Sequence, residues 1–186
     1  MSNETEFTAM LATSQLADLG PGPREGIESE PSLTSKVRQL CVGSKLPSEN
    51  QELIRALILL WHDHLDAAHT IAQSIDNQNG AFVHGIMHRR EPDYGNATYW
   101  FRRVGKHGAF EAIAQRVGEE VSSAADAELR RQLLPQARWD PFAFIHASER
   151  AATRPESDLL TARLREVQHL EFESLLGWFL AAESTE

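Results

Sequence analysis

Apolar residues recur along most of this chain at the three- and four-residue spacing of an amphipathic helix. The spacing is clearest after "LPSENQ", where it predicts one long helix from about residue 51 to residue 75. Its apolar stripe consists of Leu53, Leu57, Leu60, His64, Ala68, Ile71 and Ile75. No segment alternates apolar and polar residues as a half-buried strand does. The pattern therefore predicts an all-α fold.

Glycine, proline and aspartate mark where further helices begin and end. A helix that starts near residue 81 must stop before Pro92, and the next one ends at Gly105, a residue typical of helix C-termini. Asp140 followed by Pro141 is a typical N-cap and first-turn pair. The expected helices are thus 33–42, 51–75, 81–90, 94–104, one from about 109, one after Asp140, 155–182, and a short one over 7–19.

The chain divides into an arm and a body. The first 32 residues are polar and contain "LGPGPREGIESEP", which is typical of a linker, so we expect a partly flexible N-terminal arm over 1–32. We expect a single helical domain over 33–186. In it, Gly80-Ala81-Phe82 is echoed by Gly108-Ala109-Phe110, which resembles tetratricopeptide hairpins. This predicts an antiparallel helical array with two such hairpins; the alternative is chance similarity between amphipathic helices.

Charge and composition exclude several classes of protein. A formal net charge of −9 over 186 residues disfavours broad binding to nucleic acid or to an anionic membrane. The single cysteine, Cys41, excludes an internal disulfide. No apolar run reaches the roughly 20 residues of a membrane span, and the first residues lack the pattern of a signal peptide. We therefore expect a cytoplasmic protein that binds neither nucleic acid nor membrane.

Familiar catalytic motifs are missing from the sequence. It has no glycine-rich phosphate loop and no GxSxG nucleophile motif. "HGIMH" has Gly85 where a zinc protease has its glutamate, so it is not that motif. The "HD" at 62–63 lacks the upstream histidine that helical metal phosphohydrolases need, because no histidine precedes His62.

Histidines on two neighbouring helices are candidate metal ligands. His62, Asp66 and His69 share one face of the long predicted helix, and His84 and His88 have the i, i+4 spacing of helical metal pairs. We take His62, Asp66, His84 and His88 as the candidate ligands of a divalent transition metal; His69 could replace His62. The structural alternative is a polar face whose carboxylate hydrogen-bonds a histidine.

Arginines and tyrosines gather in the same part of the chain. Arginine forks beside phenol hydroxyls and a helix N-terminus suit a phosphate or a carboxylate. The candidate ligand-binding residues are Arg89, Arg90, Tyr94, Tyr99, Arg102 and Arg103. The structural alternative is a clasp at the Pro92 corner, in which the arginines pair with Glu91 and Asp93 and hold two helices at a fixed angle.

The run "HGIMHRREPDYGNATYWFRRVGKH", with "WHDHLDAAH" upstream, resembles a family of small all-helical proteins of uncharacterised function. The family signature reads HRREPDYxNAxYWFRRVG, and the resemblance covers residues 57–113. It implies a helical fold and no particular activity.

These patterns favour a binding or interaction module with an Arg/His/Tyr-rich surface for a small anionic ligand or an acidic protein segment. The alternative function is a metal-dependent hydrolase with a His/Asp site on two neighbouring helices and Glu91 as general base. A third alternative is a purely structural adaptor. Apolar residues on two sides of the last helix also indicate a homodimer seam or a cover for the arm; they are Leu170, Phe172, Trp178 and Leu180.

Overall fold

The computed structural model describes residues 3–155 and 157–182, and this part of the chain contains helices and no strand. The predicted all-α class is therefore confirmed. The helices are α1 (Asn3–Ala9), α2 (Glu30–Cys41), α3 (Ser48–Trp61), α4 (Leu65–Ala72), α5 (Gln78–Arg90), α6 (Tyr94–Val104), α7 (Ala109–Glu120), α8 (Ala127–Leu133), α9 (Pro141–Ala151) and α10 (Leu159–Leu180). A short 3-10 turn, Pro135–Ala137, joins α8 to α9.

Local capping signals fix several of these boundaries. The Asp140 carboxylate accepts hydrogen bonds from the backbone N–H groups of Phe142 and Ala143, and Asp93 does the same for Asn96 at the start of α6. Helix α6 ends at Gly105, whose φ of 61° is easily reached only by glycine. The boundaries predicted at these positions are confirmed. Helix α8 was not predicted.

The long helix predicted over 51–75 is instead two helices, α3 and α4. Between them Asp63 adopts a φ of 64°, and the His64 N–H donates to the Leu59 carbonyl rather than continuing the helix. The periodicity missed this break because α3 is apolar on nearly every side, so its pattern runs into that of α4 without a visible gap.

Helix α3 lies at the centre of the molecule and packs against α2, α4, α5 and α10. Every residue from Leu53 to Trp61 except Arg55 is buried. The most extensive helix pair is the α5–α6 hairpin, which follows from the short turn at Pro92. Two phenylalanines of the sequence echo, Phe82 and Phe110, meet with ring centroids 5.5 Å apart.

The N-terminal arm docks on this body. Phe7, Leu11 and Ala17 are buried in the core, although only α1 of the helix expected over 7–19 forms. Residues beyond α1 run as an irregular chain whose backbone is bonded by the body: the Gln168 amide donates to the Ala17 and Asp18 carbonyls. The first helix of the body begins at Glu30, within the range expected for the arm.

The last helix, α10, begins at Leu159, four residues later than expected, and it buries part of its predicted sticky surface within the chain. Phe172 is fully buried, with its ring centroid 5.1 Å from that of Trp61, so it does not belong to a dimer seam. Helix α1 packs on α10, as expected of an arm that covers this helix. Trp178 remains 43% exposed. None of the helices in the described residues combines the length and apolar character needed to cross a membrane.

Candidate metal centre

Three histidines from α4 and α5 converge on one point; we call His69, His84 and His88 the histidine triad. One ring nitrogen of each lies within 4.8 Å of those of the other two. The rings of His84 and His88 are parallel, with centroids 5.1 Å apart, and the His69 ring meets that of His84 edge-on at 4.6 Å. Zinc bonded to three imidazoles holds their nitrogens about 3.4 Å apart, so these nitrogens need to approach one another by at most about 1.4 Å to bind an ion.

His84 is the most constrained member of the triad. Its ring stacks on Trp100 at a centroid distance of 3.8 Å, and only 3% of the residue is exposed. Burial, together with the smaller effects of the neighbouring His69 and His88, lowers the pKa of His84 to about 4. Its Nδ1 atom is buried and has no hydrogen-bond partner among the described residues. His84 is therefore a neutral imidazole at pH 7 with a buried, unpartnered nitrogen.

His88 connects the triad to the solvent-facing rim. Burial lowers the pKa of His88, while the nearby Glu91 carboxylate acts in the opposite direction. The His88 Nδ1 lies 3.2 Å from Glu91 Oε2, which is within ion-pair distance, although the two groups lack hydrogen-bond alignment. Glu91 itself is exposed. A carboxylate thus stands beside the triad on the side that water can reach.

The triad differs from the ligand set expected from the sequence. His84 and His88 do lie together, but the Nε2 of His62 pairs at 2.8 Å with the Met10 carbonyl of the arm. Asp66 lies exposed on the first turn of α4 and is not part of the cluster. The break at Asp63 is the physical reason, since His62 belongs to the end of α3 and no longer shares a helix face with Asp66 or His69.

Arg89 does not face a ligand, because its guanidinium is fully buried. It pairs with Glu171 of α10, with 2.5 Å between Nη2 and Oε2, and its Cζ lies 4.2 Å from the centroid of the Phe144 ring. Neither side chain of this ion pair has any exposed surface. Arg89 therefore ties α5 to α9 and α10.

Arg90 is likewise buried and is committed to the chain itself. Its guanidinium pairs with Asp63 at 2.6 Å and donates to the backbone carbonyls of Gly20 and Leu60. Arg24 of the arm binds the other oxygen of the same carboxylate at 2.9 Å. We call Arg24, Asp63 and Arg90 the Asp63 clasp. The sequence suggested that the arginines at the Pro92 corner pair with Glu91 and Asp93. Arg89 and Arg90 pair instead with Glu171 and Asp63, which are distant in sequence.

The other expected ligand-binding residues lie on α6. Tyr94 is half-buried, and burial raises the pKa of its phenol. Tyr99 is 51% exposed and Arg102 is exposed. Arg103 pairs with Asp76 at 2.5 Å and lies over the Trp100 ring at 5.0 Å. The structure therefore does not bring the six residues together on one surface, because two of them point into the core.

Sequence reasoning counted His69 only as a substitute, although the structure makes it the third member of the triad. A usable signal was the "DNQNG" turn, which reverses the chain between His69 and His84 and brings two helix ends together. Protein-family models, curated proteins and solved structures contain no match to this chain. The geometry of the triad therefore provides the functional evidence.

Proposed function

We propose that this protein is a metal-dependent hydrolase in which the histidine triad binds one divalent transition-metal ion. The observation that carries the proposal is the convergence of three imidazoles from two helices, with one ring nitrogen of each within 4.8 Å of those of the other two. Imidazole is a ligand for zinc, iron, nickel and copper, and three histidines are a known catalytic ligand set for zinc. Zinc fits best, because it requires no further protein ligand.

The chemistry follows from the number of ligands. His69, His84 and His88 would hold the ion, and a zinc ion with three histidine ligands would supply an activated water, whose pKa such an ion brings near 7. Glu91, whose Oε2 lies 3.2 Å from His88 Nδ1, is the carboxylate that would take up the proton of such a water. In this proposal the chain binds and orients the ion, while Glu91 acts as general base.

The expected anionic ligand becomes the substrate in this proposal. Trp100 stacks on His84, and Arg103, which pairs with Asp76, lies over the Trp100 ring. A carbonyl or phosphoryl oxygen that becomes negatively charged during hydrolysis is stabilised by such a cation. We therefore favour ester or phosphoester substrates that carry an anionic group.

Metal content tests the proposal directly. Protein purified without chelators should contain about one equivalent of zinc or another transition metal, measured by elemental analysis. His84→Ala should lower the affinity for that metal by more than about 100-fold, because loss of a direct ligand exceeds the effect of an outer-shell change. His146→Ala is the matched control, since His146 is an exposed helical histidine beside Glu149 and outside the triad. A wild-type protein that binds no metal on zinc titration contradicts the proposal.

The hydrolytic step needs a separate measurement. Zinc-loaded protein should hydrolyse p-nitrophenyl acetate or bis-p-nitrophenyl phosphate, and Glu91→Gln should slow this reaction by about 100-fold or more with the metal content unchanged. Because Glu91 is exposed, the substitution leaves the core intact. Full activity in the Glu91→Gln variant shows that this carboxylate is not the base.

A further inference from the structure

A second concave surface lies away from the histidine triad, between α7 and the segment formed by α8 and the 3-10 turn. Helix α7 packs on α10 and α8 packs on α9, which leaves an open groove of about 1250 Å³ between them. We call it the α7–α8 groove. Its volume exceeds the roughly 300–1000 Å³ of most small-molecule pockets, and it is open along its length.

The floor of the groove is apolar and follows one helix face. Phe110, Ala114 and Gly118 succeed one another at four-residue spacing on α7, and Leu134 and Trp139 face them from the other wall. This wall of α7 spans Phe110 to Glu119, which is about 14 Å at the rise of an α-helix. Two to three turns of a second helix match this length and this apolar strip.

The rim of the groove is basic, although the whole chain is acidic. Four cationic side chains line it against two carboxylates: Lys106, Arg130, Arg131 and Arg138, against Glu111 and Glu119. Within the described residues Arg130 and Arg138 are exposed and form no ion pair, whereas Arg131 pairs with Glu128. The chain as a whole has a net charge of −9, yet these two arginines lie beside an apolar floor with no ionic partner among the described residues. This local surface suits an acidic partner.

One buried polar group at the groove also has no partner. Trp139 is only 5% exposed, and its indole N–H finds no acceptor in the described chain. The adjacent segment is strained, because Gln136 and Ala137 both adopt positive φ angles, 54° and 59°. The Trp139 N–H and the strained turn therefore belong to one wall of the groove, and this N–H has no hydrogen-bond acceptor among the described residues.

We propose that the α7–α8 groove binds an acidic amphipathic helix of a partner protein. The partner's apolar stripe lies on Phe110, Ala114 and Gly118, and its acidic flank pairs with Arg130 and Arg138. Such a contact is a helix-in-groove interface, in which apolar residues at helical spacing provide the anchors. This proposal does not depend on the metal site.

A designed peptide tests the groove. The probe is a fluorescein-labelled helical peptide of about 14 residues with leucine at every third and fourth position and glutamate on one flank. Its binding to the full chain is followed by fluorescence anisotropy. Arg130→Glu together with Arg138→Glu should weaken binding by about ten-fold or more, because two attractive surface contacts become repulsive. Gly118→Leu should also abolish binding, since a Cβ there already lies 3.5 Å from Leu134 Cδ1 and a leucine fills the floor.

The matched control is Arg38→Glu, which reverses an exposed arginine on α2 that forms no ion pair with the described residues, and it should leave the affinity unchanged. A peptide with lysine in place of glutamate should not bind. No binding of the acidic peptide at about 1 mM overturns the proposal. So does equal binding by the double arginine variant. Decanoate is the comparison ligand: if it alone binds, the groove is a small-molecule site and no partner helix is needed.

Discussion

At the scale of single residues, Asp63 has two structural roles: it follows the end of α3 and it pairs with two buried arginines. It terminates α3 in a left-handed conformation, which aspartate tolerates better than most residues. Its buried carboxylate receives the guanidinium groups of Arg24 and Arg90. Burial acts to raise the pKa of this carboxyl, but the hydrogen bonds from the two arginines outweigh that effect, so its pKa lies below its ordinary value. One anion thus compensates two buried cations.

Asp63→Asn should lower the free energy of unfolding by about 3–5 kcal/mol, because it leaves two buried guanidiniums without a counter-charge. Asparagine has nearly the same shape and also accepts a positive φ, so the measured loss reports the charge. Urea denaturation followed by tryptophan fluorescence measures it. Asp76→Asn is the control: it breaks the solvent-exposed ion pair with Arg103 and should cost less than about 1 kcal/mol. Equal losses for the two variants contradict the assigned role of the Asp63 clasp.

At the scale of helices, close approach of α5 and α6 depends on one missing side chain. Gly85 faces Phe101, and a Cβ atom placed on Gly85 would lie 2.8 Å from two carbons of that ring. Because His84 and Trp100 flank this contact, the spacing of the hairpin also sets the stacking behind the triad.

Gly85→Ala should destabilise the protein by about 1–3 kcal/mol, since the added methyl group overpacks the hairpin. This loss should exceed the gain of up to about 1 kcal/mol that alanine normally brings to a helix. Thermal unfolding followed by circular dichroism measures the net change in stability. Gly95→Ala in α6 is the control, because its Cβ makes only an ordinary 3.7 Å contact, and it should be neutral or stabilising. A Gly85→Ala variant as stable as Gly95→Ala rules out this packing argument.

At the scale of the whole molecule, the arm and the body form one core. Phe7, Leu11 and Ala17 are buried together with residues of α2, α3 and α10. Polar contacts hold the irregular part of the arm on the body. Arg24 forms an ion pair with Asp63, and the Gln168 amide donates a hydrogen bond to the Ala17 carbonyl. These contacts join the ends of the chain, so unfolding of the arm and of the body should be a single event.

Phe7→Ala should lower the free energy of unfolding by about 3–5 kcal/mol, the usual cost of emptying a buried phenylalanine site. Urea transitions measured by tryptophan fluorescence and by far-UV circular dichroism should coincide, as expected of two-state unfolding. The exposed neighbour Thr8 provides the control, and Thr8→Ala should change stability by less than about 0.5 kcal/mol. An unchanged midpoint in Phe7→Ala is the result that removes the arm from the core.

The sequence by itself determined the all-α class, both ends of α6 and the start of α9. Those features depend on apolar periodicity and on caps such as Asp93, Gly105 and Asp140, whose partners lie within a few residues. The closeness of His84 and His88 was also predicted from the sequence, because i, i+4 spacing on one helix fixes their distance.

Only the tertiary structure decided which polar residues are buried and which face each other. From the sequence alone, Arg89 and Arg90 were expected on the surface. In the structure Arg89 is buried against Glu171 of α10, and Arg90 is buried against Asp63, which also binds Arg24. His69 joins the triad because Asp63 ends α3, an event that depends on partners from the arm and α5. A charge is buried only where another segment supplies its counter-charge, and no local pattern encodes a contact between distant parts of the chain.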